Sequence, residues 1–472
     1  MMFNSLAFAG FLVVVFAGYW MLGGRRRAQN LFLLVASYVF YGWWNWRYLF
    51  LIAGCSAVNF IAGMVIYKSK RIWVRRLMLI TCCMVCLGAL CYFKYFNFFA
   101  ESFASMLGLV GIKWNPLVLN VMLPVGISFF TFQALSYTID IALGKLEPTR
   151  DWAEFFVFIS FFPQLVAGPI ERATNLLPQF QKGRAFDFDA ATHGICLLVY
   201  GLFKKMVVAD TLALYVDRAF LVPEMFSSIT CIIGAFFFSI QIYCDFSGYS
   251  DCARGIAGLL GFKLMVNFDR PYLSSSFIDF WRRWHISLST WFKDYVYIPL
   301  GGNRKGFAVL VRNVWIVFLL SGLWHGAAWT FLIWGALHAF YQTCDLLKRR
   351  FFGVSTANGW YHRLLPICVV NICVVLAWVF FRANDFATLT KYLSVMFNGK
   401  FATTMVALCA GQGPMVLAVC MLTIGLLGVS YLCPRDMNFK TCKSRMIFSV
   451  FCIATIMFLG RPSGGEFIYF QF

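Results

Sequence analysis

Apolar runs of about twenty residues, separated by short basic loops, recur along almost the whole chain. A membrane-crossing helix needs about 20 such residues. The runs place candidate spans at 3–22, 29–44, 47–66, 76–93, 124–142, 153–170, 191–214, 227–244, 308–329, 330–346, 364–382, 414–433 and 446–460. Some are marginal, so about 10–12 true crossings are expected, with the remainder re-entrant or interfacial. Strict alternation puts the basic loops after the first and third candidates on one side. Those after the tenth and twelfth join them only if one candidate in between fails to cross; the fifth or sixth is the choice that also brings Lys182 to Arg184 to the basic side. The basic side is the cytoplasm, which leaves the N-terminus and the C-terminal segment outside. Met1 to Leu22 is apolar and its positive charges follow it, the reverse of a cleavable signal, so a retained first helix is expected.

The stretch 267–306 departs from this pattern. On one continuous helix, Trp281, Trp284, Leu288, Trp291 and Tyr295 would share a face, with Arg282, Arg283, Ser289, Lys293 and Asp294 largely opposite. That is too polar to span lipid and too aromatic for a free loop. It is expected to lie at the interface or dip in from the cytoplasmic side, packed on protein. Gly301 to Gly306 follows as a turn whose backbone N–H groups, with Arg304, could hold an anion.

Composition narrows the class. The 472 residues are 61% hydrophobic and 13% charged, against about 25% charged in soluble domains. A single all-α polytopic membrane domain, 1–472, solvated by the lipid bilayer, is the reading. The net charge of +20 sits in short loops such as Arg25 to Arg27, Lys68 to Arg76 and Lys348 to Arg350. It reflects membrane orientation; a nucleic-acid partner is not expected. The 17 cysteines fall mostly inside apolar runs, where a thiol is a small hydrophobe. Cys83 to Cys86 has C-x-x-C spacing, yet it lies in a helix without a second ligand pair.

Candidate chemistry is sparse. Of five histidines, His193, His338 and His362 read as a cap, an inter-helix hydrogen-bond partner and a solvated loop residue. His325 stands in the apolar helices of 308–346, within Ser321-Gly-Leu-Trp-His-Gly-Ala327. An imidazole at membrane depth is expensive, which favours function over packing, and imidazole moves protons near neutral pH. The alternative is a ring pinned to a carbonyl at a close crossing of helices. His285 lies in the other unusual segment. Two histidines without acidic or thiol ligands at helical spacing are poor metal ligands, so no metal is expected. Asp245, Ser247, Gly248, Tyr249 and Asp251 suit a broken helix lining a cavity, or acids paired with Arg282 or Arg283. Gln133, Tyr137 and Asp140 form a similar polar stripe. No G-x-S-x-G elbow and no Walker A loop occur.

Together, Phe129 to Asp140, Phe161 to Pro169, Asp245 to Asp251, Phe280 to Thr290, Gly301 to Gly306, Trp324-His-Gly326 and the closing Phe467 to Phe472 resemble the membrane-bound O-acyltransferase family. The similarity favours its branch for O-acetylation of alginate, cellulose or peptidoglycan, and it runs over essentially the whole chain. It implies a ring of tilted helices around a central pore, with a cytoplasmic and an outward funnel meeting near the catalytic His325. His285 matches the family's second polar position and, with a backbone N–H as the alternative, would stabilise the oxyanion. Arg282, Arg283, Arg304 and Lys305 would attract the phosphates of the donor; Trp324, Asp245, Ser247, Tyr249 and Asp251 would line the substrate site. The resemblance further implies acetyl-CoA as donor substrate with no cofactor, and a multi-pass protein of the bacterial inner membrane. Its expected partners are polysaccharide synthesis machinery and an extracytoplasmic serine-type acetyltransferase of the SGNH-hydrolase kind. D-alanyl transfer to teichoic acid, and transport of a lipid-linked intermediate, are the alternatives. The segment after Asn398, with Gly411-Gln-Gly413, matches no motif.

Overall fold

The computed structural model describes residues 1–353, 360–399, 439, 441–461, 465 and 467–468, with side chains of 360–363 excepted. The candidate span at 414–433, the Gly411 to Gly413 motif and most of the closing aromatic segment lie outside the described residues. Everything with regular structure among the described residues is helical: α1 (Leu6–Met21), α2 (Arg26–Asn45), α3 (Leu49–Lys68), α4 (Ile72–Leu90), α5 (Phe96–Leu109), α6 (Ile127–Ala142), α7 (Trp152–Ser160), α8 (Ala173–Gln181), α9 (Phe188–Phe203), α10 (Asp210–Leu221), α11 (Ser228–Leu259), α12 (Phe277–Arg283), α13 (Ile286–Phe292), α14 (Phe307–His325), α15 (Trp329–Phe352), α16 (Trp360–Arg382), α17 (Phe386–Phe397) and α18 (Cys442–Leu459).

Six stretches among these are long and apolar enough to cross a membrane: Arg26–Lys68, Ile72–Leu109, Ser228–Leu259, Phe307–His325, Leu364–Arg382 and Cys442–Leu459. The first two each hold a pair of helices joined by a short turn. Apolar side chains such as Val35, Phe50, Met84, Ile372 and Met457 stand exposed along them, as expected of surfaces that face lipid. The sixth candidate of the sequence shortens to α7, nine residues. At about 1.5 Å per residue it covers less than half of a hydrocarbon layer.

The chain forms two compact units, 1–198 with 252–265 and 199–251 with 266–472. In the first, α3 packs on α4 and α6 while α2 packs on α7. Gly63 lets α3 approach α6, because a Cβ there would stand 2.8 Å from the Tyr137 ring. Gln133 of the α6 polar stripe donates to the Phe158 carbonyl at 2.7 Å, tying α6 to α7. The stripe is therefore interior packing.

In the second unit, α14 and α15 form an antiparallel hairpin. Its crossing is set by glycines: a Cβ on Gly322 would lie 2.3 Å from the Phe331 carbonyl oxygen, and one on Gly335 would lie 2.3 Å from that of Phe318. Such small residues let backbones touch where lipid offers no hydrophobic drive for association. α12 and α16 pack on α15.

Two local expectations are corrected. The 281–295 stretch is not one helix. It breaks at Trp284–His285, where His285 adopts a left-handed backbone (φ 44°). The break is held because Ile286 donates its N–H to the Asn267 carbonyl at 2.9 Å instead of continuing the helix. Trp281, Trp284, Leu288 and Trp291 are nevertheless all buried. Nor does the chain break around Gly248: α11 continues through it. Gly248 instead serves a close crossing, since a Cβ there would meet the Gly201 carbonyl at 2.8 Å.

Candidate active site

α14 ends at His325, and the following Gly326 is extended, with its N–H bonded back to the Gly322 carbonyl. Gly326 has no room for a side chain: a Cβ would stand 2.0 Å from the Phe331 ring. The Trp-His-Gly sequence is thus a helix stop that lays an aromatic ring against the residue after the histidine. The His325 ring sits among Trp324 (4.9 Å between centroids), Trp334 (5.0 Å, edge-on), Phe381 (5.3 Å) and His285 (6.3 Å). It is 4% exposed. The two histidines singled out from the sequence are therefore neighbours, brought together by the break at His285. Trp324 touches both rings, lying 5.8 Å from His285.

His285 is fully buried, packed edge-on against Phe246 at 4.6 Å. Its Nδ1 lies 3.2 Å from Asn267 Oδ1, an oxygen that also accepts from the Ser287 N–H (3.2 Å) and the Ser287 hydroxyl (2.9 Å). Asn267 Nδ2 donates to Ser250 at 3.2 Å. Burial pushes the His285 imidazole down to about 3, so it is neutral at physiological pH. Asn267 was not legible as a site residue from its sequence position; only the fold returns it to His285.

A cavity of about 380 Å³, within the common size range of ligand pockets, is lined by residues of the same unit, though by neither histidine. Its rim carries Arg282, Lys293 and Arg349, all exposed. Its walls include Trp281, Leu288, Phe292, Val314 and Phe318, and its α14 lining extends as far as Ser321, one helical turn before His325. Trp281 touches Trp334 at 5.7 Å, and Trp334 touches His325. Aromatic rings thus stand between the cavity wall and the buried imidazole.

The other expected residues fall elsewhere. Arg283 pairs with Asp279 one turn away at 3.0 Å and does not line the cavity. Arg304 and Lys305 are exposed on the Gly301 to Gly306 turn, which reaches the cavity only through Asn303. The backbone N–H groups of Gly301, Gly302 and Arg304 are donated to carbonyls of Ile298, Tyr297 and Gly301, so they do not form an anion cradle. Asn313 fixes the turn by donating to the Gly302 carbonyl at 3.0 Å.

Asp245 and Asp251 do not pair with Arg282 or Arg283. Asp245 pairs with Lys205 at 2.7 Å, and Lys205 also meets Asp210 at 2.9 Å. Lys204 reaches Asp251 and, at 3.0 Å, Ser247. Both lysines lie on a π-helical turn, Lys204–Ala209, and both are buried. The wider turn lets consecutive side chains point inward. The other oxygen of Asp245 accepts the Ile468 N–H at 2.7 Å, while Phe467 lies 4.5 Å from Lys205 Nζ and 4.9 Å from the Tyr249 ring. The lysine pair inside an apolar run was the signal for this network, because buried lysines demand partners. Among the described residues no group of three or more His, Cys, Asp or Glu side chains is placed to hold a metal.

Comparison with known proteins agrees with this architecture. Residues 146–384 match the model of the membrane-bound O-acyltransferase family, MBOAT. The chain is 36% identical to a probable alginate O-acetylase of Pseudomonas putida, covering 100% of each. It is 40% identical to a probable alginate O-acetylase of Pseudomonas aeruginosa, over 84% of this chain and 75% of the relative. It is 35% identical to a peptidoglycan O-acetyltransferase of Helicobacter pylori, over 84% of this chain and 80% of the relative. Whole-length similarity to O-acetyltransferases, joined to membrane-length apolar helices, makes this chain an integral membrane enzyme of acyl transfer, and it belongs to the membrane-bound O-acyltransferase family.

Proposed function

We propose that the protein passes acetyl groups from a cytoplasmic thioester, acetyl-CoA, across the bacterial inner membrane for O-acetylation of an extracytoplasmic polysaccharide. The relatives' substrates, alginate and peptidoglycan, mark the polymer class. The observation that carries the reading is the cavity: a rim of Arg282, Lys293 and Arg349, apolar walls, and a lining that includes Ser321, one turn from His325. Guanidinium and ammonium groups suit donor phosphates, and apolar walls suit an uncharged acyl-thioester arm.

In this reading the rim faces the cytoplasm, and the basic loops put the N-terminus outside. His325 acts as general base. An acceptor hydroxyl gives its proton to the imidazole as its oxygen attacks the thioester carbonyl. The tetrahedral adduct collapses by breaking the C–S bond. The thiolate leaves with the proton from the imidazolium, yielding one ester, one thiol and a neutral His325. General-base catalysis supplies roughly 10²–10⁴-fold; alignment of donor and acceptor supplies the rest. Because the ring is 4% exposed, donor entry requires Trp281 or Phe318 to swing from the cavity wall. The acetyl group then passes to a serine-type acetyltransferase on the outer side, which modifies the polymer.

The test is His325→Ala in cells that make the polymer. Ester acetate released by mild base should vanish while the variant still accumulates in the membrane. Full ester content in that variant removes the proposal. Release of D-alanine instead of acetate would move the reading to teichoic acid chemistry.

A further inference from the structure

We propose that Asn267 is a positioning residue of the acyl-transfer reaction, holding His285 with its hydrogen on Nδ1 so that Nε2 is the nitrogen that accepts a proton. The assignment follows from one unambiguous donor. The Ser287 backbone N–H can only donate, and at 3.2 Å it faces Asn267 Oδ1, which fixes that atom as the oxygen. An amide oxygen only accepts, so the 3.2 Å contact of His285 Nδ1 with the same atom is a hydrogen bond only if Nδ1 carries hydrogen; the Ser287 hydroxyl, 3.4 Å from Nδ1, spends its own hydrogen on Asn267 Oδ1 at 2.9 Å and so offers Nδ1 none. The amide nitrogen end agrees, since it donates to Ser250. In a neutral imidazole a protonated Nδ1 leaves Nε2 with its lone pair.

The arrangement follows the logic of a base and its orienting partner, in which a hydrogen bond to one ring nitrogen sets the chemistry of the other. Its purpose is also visible in the backbone. His285 holds a left-handed conformation (φ 44°) that a β-carbon-bearing residue adopts at a cost. Asn267 sustains it from both ends: its carbonyl takes the Ile286 N–H and its side chain takes the Ser287 N–H. The strain therefore aims one ring at His325, 6.3 Å away between centroids. With no hydrogen at Nε2, neutral His285 has nothing there to offer an oxyanion. It is a second proton acceptor beside His325, able to take the acceptor's proton or relay it. The titratable and charged neighbours are few. His325 faces it from α14; on α11, Asp245, the residue before Phe246, is paired with Lys205.

This inference rests on the acyl-transfer reading, and Asn267→Asp tests it separately. The carboxylate keeps every acceptor contact and adds a negative charge beside Nδ1. The pH at which the His285 imidazole protonates, followed by NMR, should move upward by about one unit or more, because an opposite charge favours the imidazolium. Asn267→Leu removes the acceptor and should lower kcat by roughly 10²-fold with donor KM little changed. Nitrogen-15 NMR of histidine-labelled protein reads the tautomer directly, with the His285 signals identified by their loss in His285→Gln. A protonated Nδ1 and a bare Nε2 are expected. A hydrogen on Nε2, or a His285 titration in Asn267→Asp superimposed on the parent's, overturns the assignment. Neither result touches the acyl-transfer reading, which falls if His325→Ala stays active.

Discussion

Trp281 donates its indole N–H to Nδ1 of His338 across 3.3 Å. The bond fixes a cavity-wall ring to α15, and the same indole packs on Phe318 at 5.2 Å. His338 is thus the inter-helix partner its sequence position suggested, and it holds a ring of the cavity wall. Trp281→Ala should enlarge the cavity and relax acyl selectivity. Competition between acetyl and butyryl thioesters reads this as a several-fold shift toward the longer chain. Unchanged selectivity would place the acyl group elsewhere.

Gly322 and Gly335 set the crossing that carries His325. Gly322→Ala forces α14 away from the Phe331 carbonyl, which a Cβ would approach to 2.3 Å. Overpacking of this kind costs about 1–3 kcal/mol. Melting in detergent should drop, and activity should fall further than stability alone explains, because the displaced helix carries the imidazole.

Lys205 balances Asp245 and Asp210 in the interior of the second unit. Lys205→Met leaves both acids without that cation, a loss of roughly 3–5 kcal/mol. Asp245→Asn combined with it should recover part of the loss, since one buried charge is removed with its partner. The C-terminal contact at Ile468 should loosen in the single variant, seen as faster proteolysis after residue 461. Equal protease sensitivity in both forms would mean the tail is held by other contacts.

The basic rim makes a graded prediction. Arg282→Ala with Arg349→Ala should raise donor KM several-fold and flatten its dependence on ionic strength, since exposed charges are screened by salt. Arg304→Ala should do much less, because Arg304 lies off the cavity. An Arg304 effect as large as the double variant's would place the donor phosphates on the Gly301 to Gly306 turn.

His325 stood out because an imidazole in an apolar helix is costly; that the helix stops at His325, short of the expected end at 329, was not legible. The segment around Trp281 and Trp284 was legible as packed, non-spanning structure. Its break was not, because a left-handed His285 depends on Asn267, eighteen residues earlier in the chain. The alternative that paired Asp245 or Asp251 with Arg282 or Arg283 does not hold; a π-helical turn delivers Lys204 and Lys205 instead. Lys293 and Arg349 join Arg282 on one rim only through the packing of α15 on α12, which no local pattern encodes.

The most direct test places purified protein in vesicles with acetyl-CoA labelled in the acetyl group, a soluble alcohol as acceptor, and His325→Ala in parallel. The account predicts labelled ester and an equal amount of free thiol from the parent, and neither from the variant. Label that crosses the membrane with its thioester intact, or ester formed equally by both proteins, contradicts it.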